Sequence, residues 1–599
     1  MRAFVIGLGT LWFVGAAQAG VLFVRADLTT GANNGASWAD AFQGRFGVQA
    51  ALGAAQAGDD IWVAQGVYAP AGANGDITVS FNLKSGVRLL GGFAGNESSE
   101  AQRDPVLRVT TLTGDLNSND LPEEETFNKS DNSAHVVRAD GAAGSGTLDG
   151  FTVRAGFAED RLGGTVVDRP AGGGLLAVGA SPMVRGCRFT DNGAQSEGGG
   201  IAAFGGAVLI DGCHFTGNRA WWSGAGVSSR SGAATVVQNC RFTDTTSHGA
   251  GARKGWGIAA GDGITSPDPN PGSIIVRGCE FSIQTTPFDA PDGIGIGVSG
   301  GTARIERCRF IRCTGAGSGG GVSASNATVE IDRCLFAENE GRFDGGAAIY
   351  SFENVDYTVT NCVFTGNDRE GFSTIHVQGG GVLRLTNCTM FDNGAPTGVH
   401  FPLLIGNVTA CTVHNCIFNA NKSGNPVTLP LGVKFGTGTI NVASSCVEGW
   451  NNQFPSVATF DGVPGFVNAA GADGVTGTAD DDLRLGAASV CVDRGNNSLV
   501  PTGVLLDVAG LPRFRDIAGV PDLGVGPAPV VDIGAHERAP TCPTDLDGDG
   551  QTNTADLVLF LGSFGQTVAP FVVQDLDGSG TVNTADLVVF LGGFGLPCP

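Results

Sequence analysis

The chain has 599 residues, a net charge of -23 and only 35 Lys plus Arg, a balance that repels a phosphate backbone and excludes nucleic acid as a partner. Its 97 glycines follow no G-X-Y period, which excludes collagen. An apolar content of 42% is enough for a core, and the acidity suits a solvated outer surface and bound cations.

The chain opens MRAFVIGLGTLWFVGAAQAG, with Arg2 before an apolar run from Ala3 to Gly15 and a small-residue pattern at Ala17-Gln18-Ala19. This is the layout of a secretory signal peptide over residues 1–19, and the run is short for a bilayer span. The mature chain is expected to be secreted, extracellular or at the cell surface, with no transmembrane segment. Residues 20–76 read as an N-terminal cap and first coil. Trp38, Ala41, Phe42, Phe46 and Ala50 to Ala55 have helix-forming character up to a stop at Gly58, and Ile61-Trp62-Val63 begins a strand.

The body repeats. Cys187, Cys213, Cys240, Cys279, Cys308, Cys334, Cys362, Cys388, Cys416 and Cys446 follow one another at intervals of 26 to 39 residues. Two places after most of them stands a large apolar residue, in the series Phe189, Phe215, Phe242, Phe281, Phe310, Phe336, Phe364, Met390 and Phe418. Five places after six of them stands Asn, at 192, 218, 339, 367, 393 and 421, and Cys313 takes the equivalent place in its own unit, where a reactive thiol is one reading. Gly clusters such as GGGI at 198–201, GAGV at 224–227 and GGAA at 345–348 lead into apolar residues. A period in the twenties means one short unit repeated. The alternation in RGCRFTDN, with Cys187 and Phe189 on one face and Arg188 on the other, is that of strands. Three short parallel strands per turn, with successive turns stacked, bury an inner face that no single turn buries alone. Equivalent residues then lie about 4.8 Å apart, so the Phe column stacks, the Asn column bonds along the coil and the Cys column packs as small apolar groups, with room for a few disulfides.

The GGGI and GGAA elements, with FTDN, FTGN, FAEN and FTGN, resemble the GGAI and FxxN repeats of polymorphic outer-membrane adhesins. More broadly they are similar to bacterial right-handed parallel β-helix repeats of the pectate-lyase-like architecture. The resemblance spans roughly residues 140 to 450 and implies a mostly β fold, a right-handed parallel β-helix solenoid, assigned here to 77–449. That architecture carries lyases, hydrolases and adhesins alike, so it implies no single activity. Residues 450–538 read as final coils and C-terminal cap. Asp473, Asp480, Asp481 and Asp482 there suit a solvated turn better than a Ca²⁺ site, and His536 and Glu537, adjacent in a strand-like VVDIGAHE, read as structural.

The irregular interval from Cys240 to Cys279 holds His248, Arg253, Lys254, Trp256 and Asp262, and the unit before it carries Trp221 and Trp222. Loop growth on one side of a solenoid is where binding appears. Trp221, Trp222 and Trp256 suit sugar contact. Asp262 is a candidate for glycoside hydrolysis, and Lys254, His248 and Arg253 are candidates for proton abstraction from an acidic sugar. There is no GxSxG, P-loop or HExxH, and the Gly clusters precede strands, so they are coil turns and not phosphate loops.

The tail contains two matching loops, DLDGDGQTNTAD at 545–556 and DLDGSGTVNTAD at 575–586, each followed by a short apolar helix. Asp545, Asp547, Asp549, Gln551, Asn553 and Asp556 in the first, and Asp575, Asp577, Ser579, Thr581, Asn583 and Asp586 in the second, supply the spaced oxygen donors that a calcium ion requires. Two Ca²⁺ ions are expected, with folding dependent on them. The loop-helix, linker, loop-helix plan of 541–599 resembles a dockerin, a module that docks on a cohesin of another protein. Thr554-Ala555, Thr584-Ala585, Leu561-Gly562 and Leu591-Gly592 stand at its contact positions, where hydroxyl pairs and basic residues are usual, so the partner is a cohesin-like or a cell-envelope protein. Cys542 and Cys598 bracket the module and suit a disulfide clasp. Two functions remain open: a secreted glycan-binding, adhesion or structural protein attached through a calcium-dependent module, or a polysaccharide lyase or glycoside hydrolase of an extracellular complex.

Overall fold

A computed structural model describes residues 20–120, 129–159, 170–247, 255–261, 271–283, 294–314, 319–341, 345–368, 372–394, 400–422, 430–515, 520–538, 543–546, 551–568, 574–577 and 579–596. Within them the chain winds as a parallel coil whose strands build three long sheets, sheet I of 16 strands, sheet II of 13 and sheet III of 12. In one turn, Leu175–Val178 lies in sheet III, Met183–Arg185 in sheet I and Arg188–Thr190 in sheet II, before the return to Ile201–Phe204 in sheet III. The bends between sheets fall on Gly179, Gly186 and Asp191, with φ of 61°, 52° and 54°. A later turn places Ser231, Asn239 and Asp244 at the same three points, again left-handed. Gly carries no Cβ penalty there, and Asn and Asp tolerate the region.

The inner face of sheet II has the expected ladder. Phe189 pairs in register with Phe215, and Phe215 with Phe242. Six consecutive ring pairs from Phe189 to Phe364 stack with centroids 4.7–5.2 Å apart. Phe310→Ala opens a void between two fully buried rings and is expected to cost about 3–5 kcal/mol, read as a lowered midpoint in urea unfolding. Beside the rings runs the Asn ladder. Asn339 Nδ2 donates to Phe310 O at 2.9 Å and to Asn367 Oδ1 at 2.8 Å, and Asn367 repeats the pattern onto Phe336 O and Asn393. Every rung satisfies a backbone group of the turn before it, as burial demands. Cys313, in an Asn place, is buried and donates to Phe281 O at 3.4 Å, with its thiol pushed up to about 12 by burial, so it is not activated as a nucleophile.

The Cys ladder has nine members and not ten. Cys446 pairs with Ile417, on the outward side, and Ser445 takes the ladder place, its hydroxyl accepting from Cys416 N at 3.1 Å. A slip of one residue in a strand moves the side chain to the opposite face, and spacing alone does not reveal it.

At the N-terminus Val21–Arg25 pairs with Asp60–Ala64 on one side and with Phe42–Gln43 on the other. The expected helix is therefore shorter, α1 (Gly47–Ala54), and Phe42 is strand. α1 buries Val48, Ala51 and Leu52 against the first turn, closing the exposed end of the stack. At the other end sheet I finishes with Ser456–Val457, and the following segment covers the outer face of sheet II. Leu335, Ala337, Val363 and Phe391 there pack against Leu483, Ala535 and Phe466. Asp480 and Asp481 hold the covering loop, accepting from Ala472 N at 2.8 Å and from Gly477 N at 2.9 Å, and Asp481 also accepts from Thr365 Oγ1 at 2.5 Å.

Candidate functional site

The outer positions of sheet II change character along the coil. In the earlier turns they are Arg188, His214, Arg241, Glu280 and Arg309, register partners in successive strands. In the later turns they are Leu335, Val363, Thr389 and Ile417, which the C-terminal segment covers. The polar stretch is open at its start, with Arg188 and Arg241 exposed and His214 half-buried, while Arg309 at its end meets the C-terminal module. A chain with few cations thus sets three arginines and a histidine in one column at a rise of about 4.8 Å per turn. Arg188 Nη1 lies 3.4 Å from His214 Nδ1, His214 Nε2 lies 3.1 Å from Thr243 Oγ1, and Arg241 pairs with Glu280 at 3.0 Å. Burial first, then Arg188 and Arg241, hold His214 below the usual histidine range. Burial likewise lowers Arg309.

Along the edge between sheets I and II runs a cleft of about 750 Å³, lined by Arg185, Asp211, Asn239, Arg241, Glu280 and Gln566 among others. Arg185 faces Asp211 at 3.9 Å, and Arg103 grips Asp149 at 2.7 Å at the cleft's far end. One wall belongs to the C-terminal module. Arg307 Nη1 donates to Gln566 Oε1 at 3.1 Å, and Arg309 Nη1 to Val568 O at 3.4 Å.

The sequence candidates fall elsewhere. Trp221 and Trp222 are exposed at 42% and 40%, on the ledge just after Arg219–Ala220. Trp256 is buried in the main core. His248, Arg253, Lys254 and Asp262 lie outside the described residues, though Lys254 precedes and Asp262 directly follows the segment that leads through Ile258–Gly261, the strand paired with Val227–Arg230. On that neighbouring strand stands one member of a pair that sequence reasoning missed, its partner coming from the turn before. Arg230 contacts Glu197, both are buried, and Glu197 Oε2 accepts from Ser228 Oγ at 2.9 Å. The basic column was missed too, although each of its members sits directly after a ladder Cys.

The C-terminal module carries two matching helices, α2 (Thr554–Leu561) and α3 (Thr584–Gly593). Asn553 and Asn583 cap them, accepting from Ala555 N at 2.8 Å and Ala585 N at 2.7 Å, and Asp556 and Asp586 accept from the cap residues' own N–H at 2.8 Å. Leu546, Phe560, Val582 and Phe590 form the small core between them. Carboxylate oxygens of Asp575, Asp577 and Asp586 lie within 4.8 Å of one another, an all-oxygen donor set that fits one divalent cation. Burial raises Asp575, and the Ser579 hydroxyl lowers Asp577. In the first loop Asp545 and Asp556 are buried, while Asp547 and Asp549 lie outside the described residues, as does the expected Cys542–Cys598 clasp. The second loop is tied to the linker before it: Val568 N donates to Gly580 O at 2.9 Å and Val582 N to Gln566 O at 3.0 Å. The loop that gathers the carboxylates therefore also places the residues that meet Arg307 and Arg309.

The protein is a right-handed parallel β-helix with a small α-helical C-terminal region. Residues 158–372 and 292–454 match the family model described as right handed beta helix region. No curated protein matches the chain. Similar solved structures include pectate lyase Pel9A (14% identity, 88% of this chain, 98% of that one, TM-score 0.40). They also include a rhamnogalacturonan lyase (14%, 78% and 97%, TM-score 0.36) and PfbA, a surface adhesin of Streptococcus pneumoniae (12%, 69% and 86%, TM-score 0.28). No helix among the described residues is long and apolar enough to cross a membrane.

Proposed function

We propose that this is an exported carbohydrate-active β-helix that binds an extended acidic polysaccharide along the outer face of sheet II. The observation that carries the reading is the column Arg188, His214, Arg241, Glu280 and Arg309, four of whose five successive turns carry an arginine or histidine, on a chain of net charge -23. Regular spacing along the coil axis matches a polymer with a charge on each repeating sugar, and guanidinium groups bind carboxylates in paired geometry. Polygalacturonate is expected to retard the protein in affinity electrophoresis, more weakly as salt rises. Arg188→Gln with Arg241→Gln is expected to weaken binding at least about tenfold, the scale of losing one to two charge-assisted bonds. A ligand carboxylate beside His214 favours its protonated form, so affinity is expected to rise as pH falls from 7.5 to 5.5. Equal retardation of the double variant, or of the wild type by a neutral glucan, contradicts the reading.

A second reading is turnover of the same polymer. Buried Arg230 stands on the strand beside the one that Lys254 and Asp262 flank in sequence, held by Glu197 of the turn before, and Trp221 and Trp222 are exposed. New absorbance from unsaturated products, or new reducing ends, lost in Lys254→Ala or Asp262→Asn, would establish it.

The module at 541–599 is then a calcium-dependent, dockerin-like attachment holding two Ca²⁺ ions. Its helices expose Val558 (70%), Leu561 (50%), Val588 (71%) and Leu591 (54%), an apolar face in place of the usual basic contact residues. The partner is a cohesin-like or cell-envelope protein with a matching apolar patch.

A further inference from the structure

We propose that Cys446 and Cys491 form a disulfide that fastens the C-terminal segment to the last turn of the coil. Nine cysteines stack inside the β-helix, and their geometry keeps them apart. Neighbours in parallel register are separated by about 4.8 Å, more than the Cβ separation of about 3.8 Å typical of a disulfide. Their sulfurs are committed along the coil. Cys308 Sγ donates to Glu306 O at 3.3 Å, and Cys308 N donates to Cys334 Sγ at 3.3 Å.

Cys446 differs because its strand is shifted by one residue and its side chain leaves the ladder for the outer face beside Ile417. There it joins a cluster with Leu485, Cys491, Val492 and Ile533, all from the covering segment except Ile417 and Cys446. Both thiols lie in that one buried cluster, and the neighbouring Cys446 thiol, then burial, holds Cys491 well above the usual thiol range. Both residues are fully buried, each at 0% exposure. They come from different layers, Cys446 from the last turn of the coil and Cys491 from the segment that covers it.

The bond forms by thiol–disulfide exchange before the segment closes over the turn. One cysteine, as thiolate, attacks a low-molecular-weight disulfide and expels one thiolate from it. The other, as thiolate, then attacks that cysteine's sulfur and expels the second. Two protein thiols are oxidised, each giving up its proton, and one external disulfide is reduced to two thiols. The closed loop spans Phe460 and the antiparallel pair Phe466–Asn468 with Asp482–Leu485, so it pins the whole start of the covering segment.

The test is refolding of the full chain in a buffer of oxidised and reduced glutathione, alkylation in denaturant without reduction, and peptide mapping. The expected result is one cross-linked peptide pair containing Cys446 and Cys491, with Cys187 to Cys416 recovered alkylated. Alkylation of both Cys446 and Cys491 as free thiols, or cross-links confined to ladder neighbours, overturns the proposal. In a second measurement the oxidised wild type is expected to lose protection of residues 460–495 in hydrogen exchange on mild reduction, while Cys446→Ser with Cys491→Ser shows no response. Equal response in both contradicts the staple.

Discussion

Arg513→Met is expected to release the C-terminal segment from sheet II at a cost of about 3–5 kcal/mol, the scale of removing a cation from a buried, hydrogen-bonded polar cluster. Arg513 is 0% exposed and Glu537 1%, and they meet at 2.7 Å. The same guanidinium donates to the carbonyls of Gly534 and Asn387, so one side chain joins the covering segment to a bend of the coil. Around it Asp493, Asp507, Asp532 and Glu537 are all at most 1% exposed. Asp507 Oδ2 accepts from Glu537 N at 2.8 Å, and Asp532 Oδ1 accepts from Asp493 N at 2.7 Å. Burial pushes both Asp507 and Asp532 up to about 6 and lifts Glu537 well above the carboxylate range.

The pH dependence follows. The folded segment keeps these protons up to about pH 6, while the unfolded chain releases them near pH 4. Stability contributed by the segment is therefore highest below pH 4 and falls as pH rises to 6, by about 3 kcal/mol for each of the two aspartates at full shift. The measurement is the alkylation rate of Cys491 in the reduced protein at graded urea. Earlier exposure at pH 7 than at pH 5, and in Arg513→Met at both, is expected. A variant as resistant as the wild type contradicts the role given to Arg513.

Removing calcium is expected to unfold residues 551–596 outright. The three carboxylates of the second loop repel one another at under 4.8 Å without a cation between them. Hydrogen exchange in chelator is expected to show α2 and α3 without protection and the linker at 565–568 detached from Arg307 and Arg309, while the Phe ladder stays protected. Asp586→Ala is expected to reproduce this in calcium, since Asp586 both belongs to the three-carboxylate cluster and holds the cap at Asn583. Unchanged protection of 584–593 in chelator contradicts a calcium-built module. Detachment also opens the end of the cleft that Gln566 lines, so polysaccharide retardation is expected to change with calcium even though the arginine column stays in place.

The coil was legible because its inner residues repeat at fixed offsets, and stacking makes each offset a column. Phe189 to Phe418 and Asn339 to Asn421 fell where their spacing put them. The shifted register of Cys446 was not legible, since Ser445 and Cys446 keep the same interval within one residue, and only pairing with Ile417 decides it. Long-range folding back was hidden for a similar reason. Arg513 lies 126 residues from Asn387, and no periodicity links them. A weaker signal was present: the residue after each ladder Cys changes from Arg188, His214 and Arg241 to Leu335 and Val363, marking where the open face ends and the covered face begins. Of the loop donors expected from the sequence, Asp575, Asp577 and Asp586 come together among the described residues, because a cation loop sets its oxygen donors at short sequence spacing.

The most direct measurement is a crystal structure of the calcium-loaded protein with an acidic hexasaccharide such as hexagalacturonate. The sugar is expected to run parallel to the coil axis over sheet II, its carboxylates within hydrogen-bonding distance of Arg188 and Arg241. A hexasaccharide bound instead across sheet III beside Trp222, with the arginine column bare, would contradict the proposal.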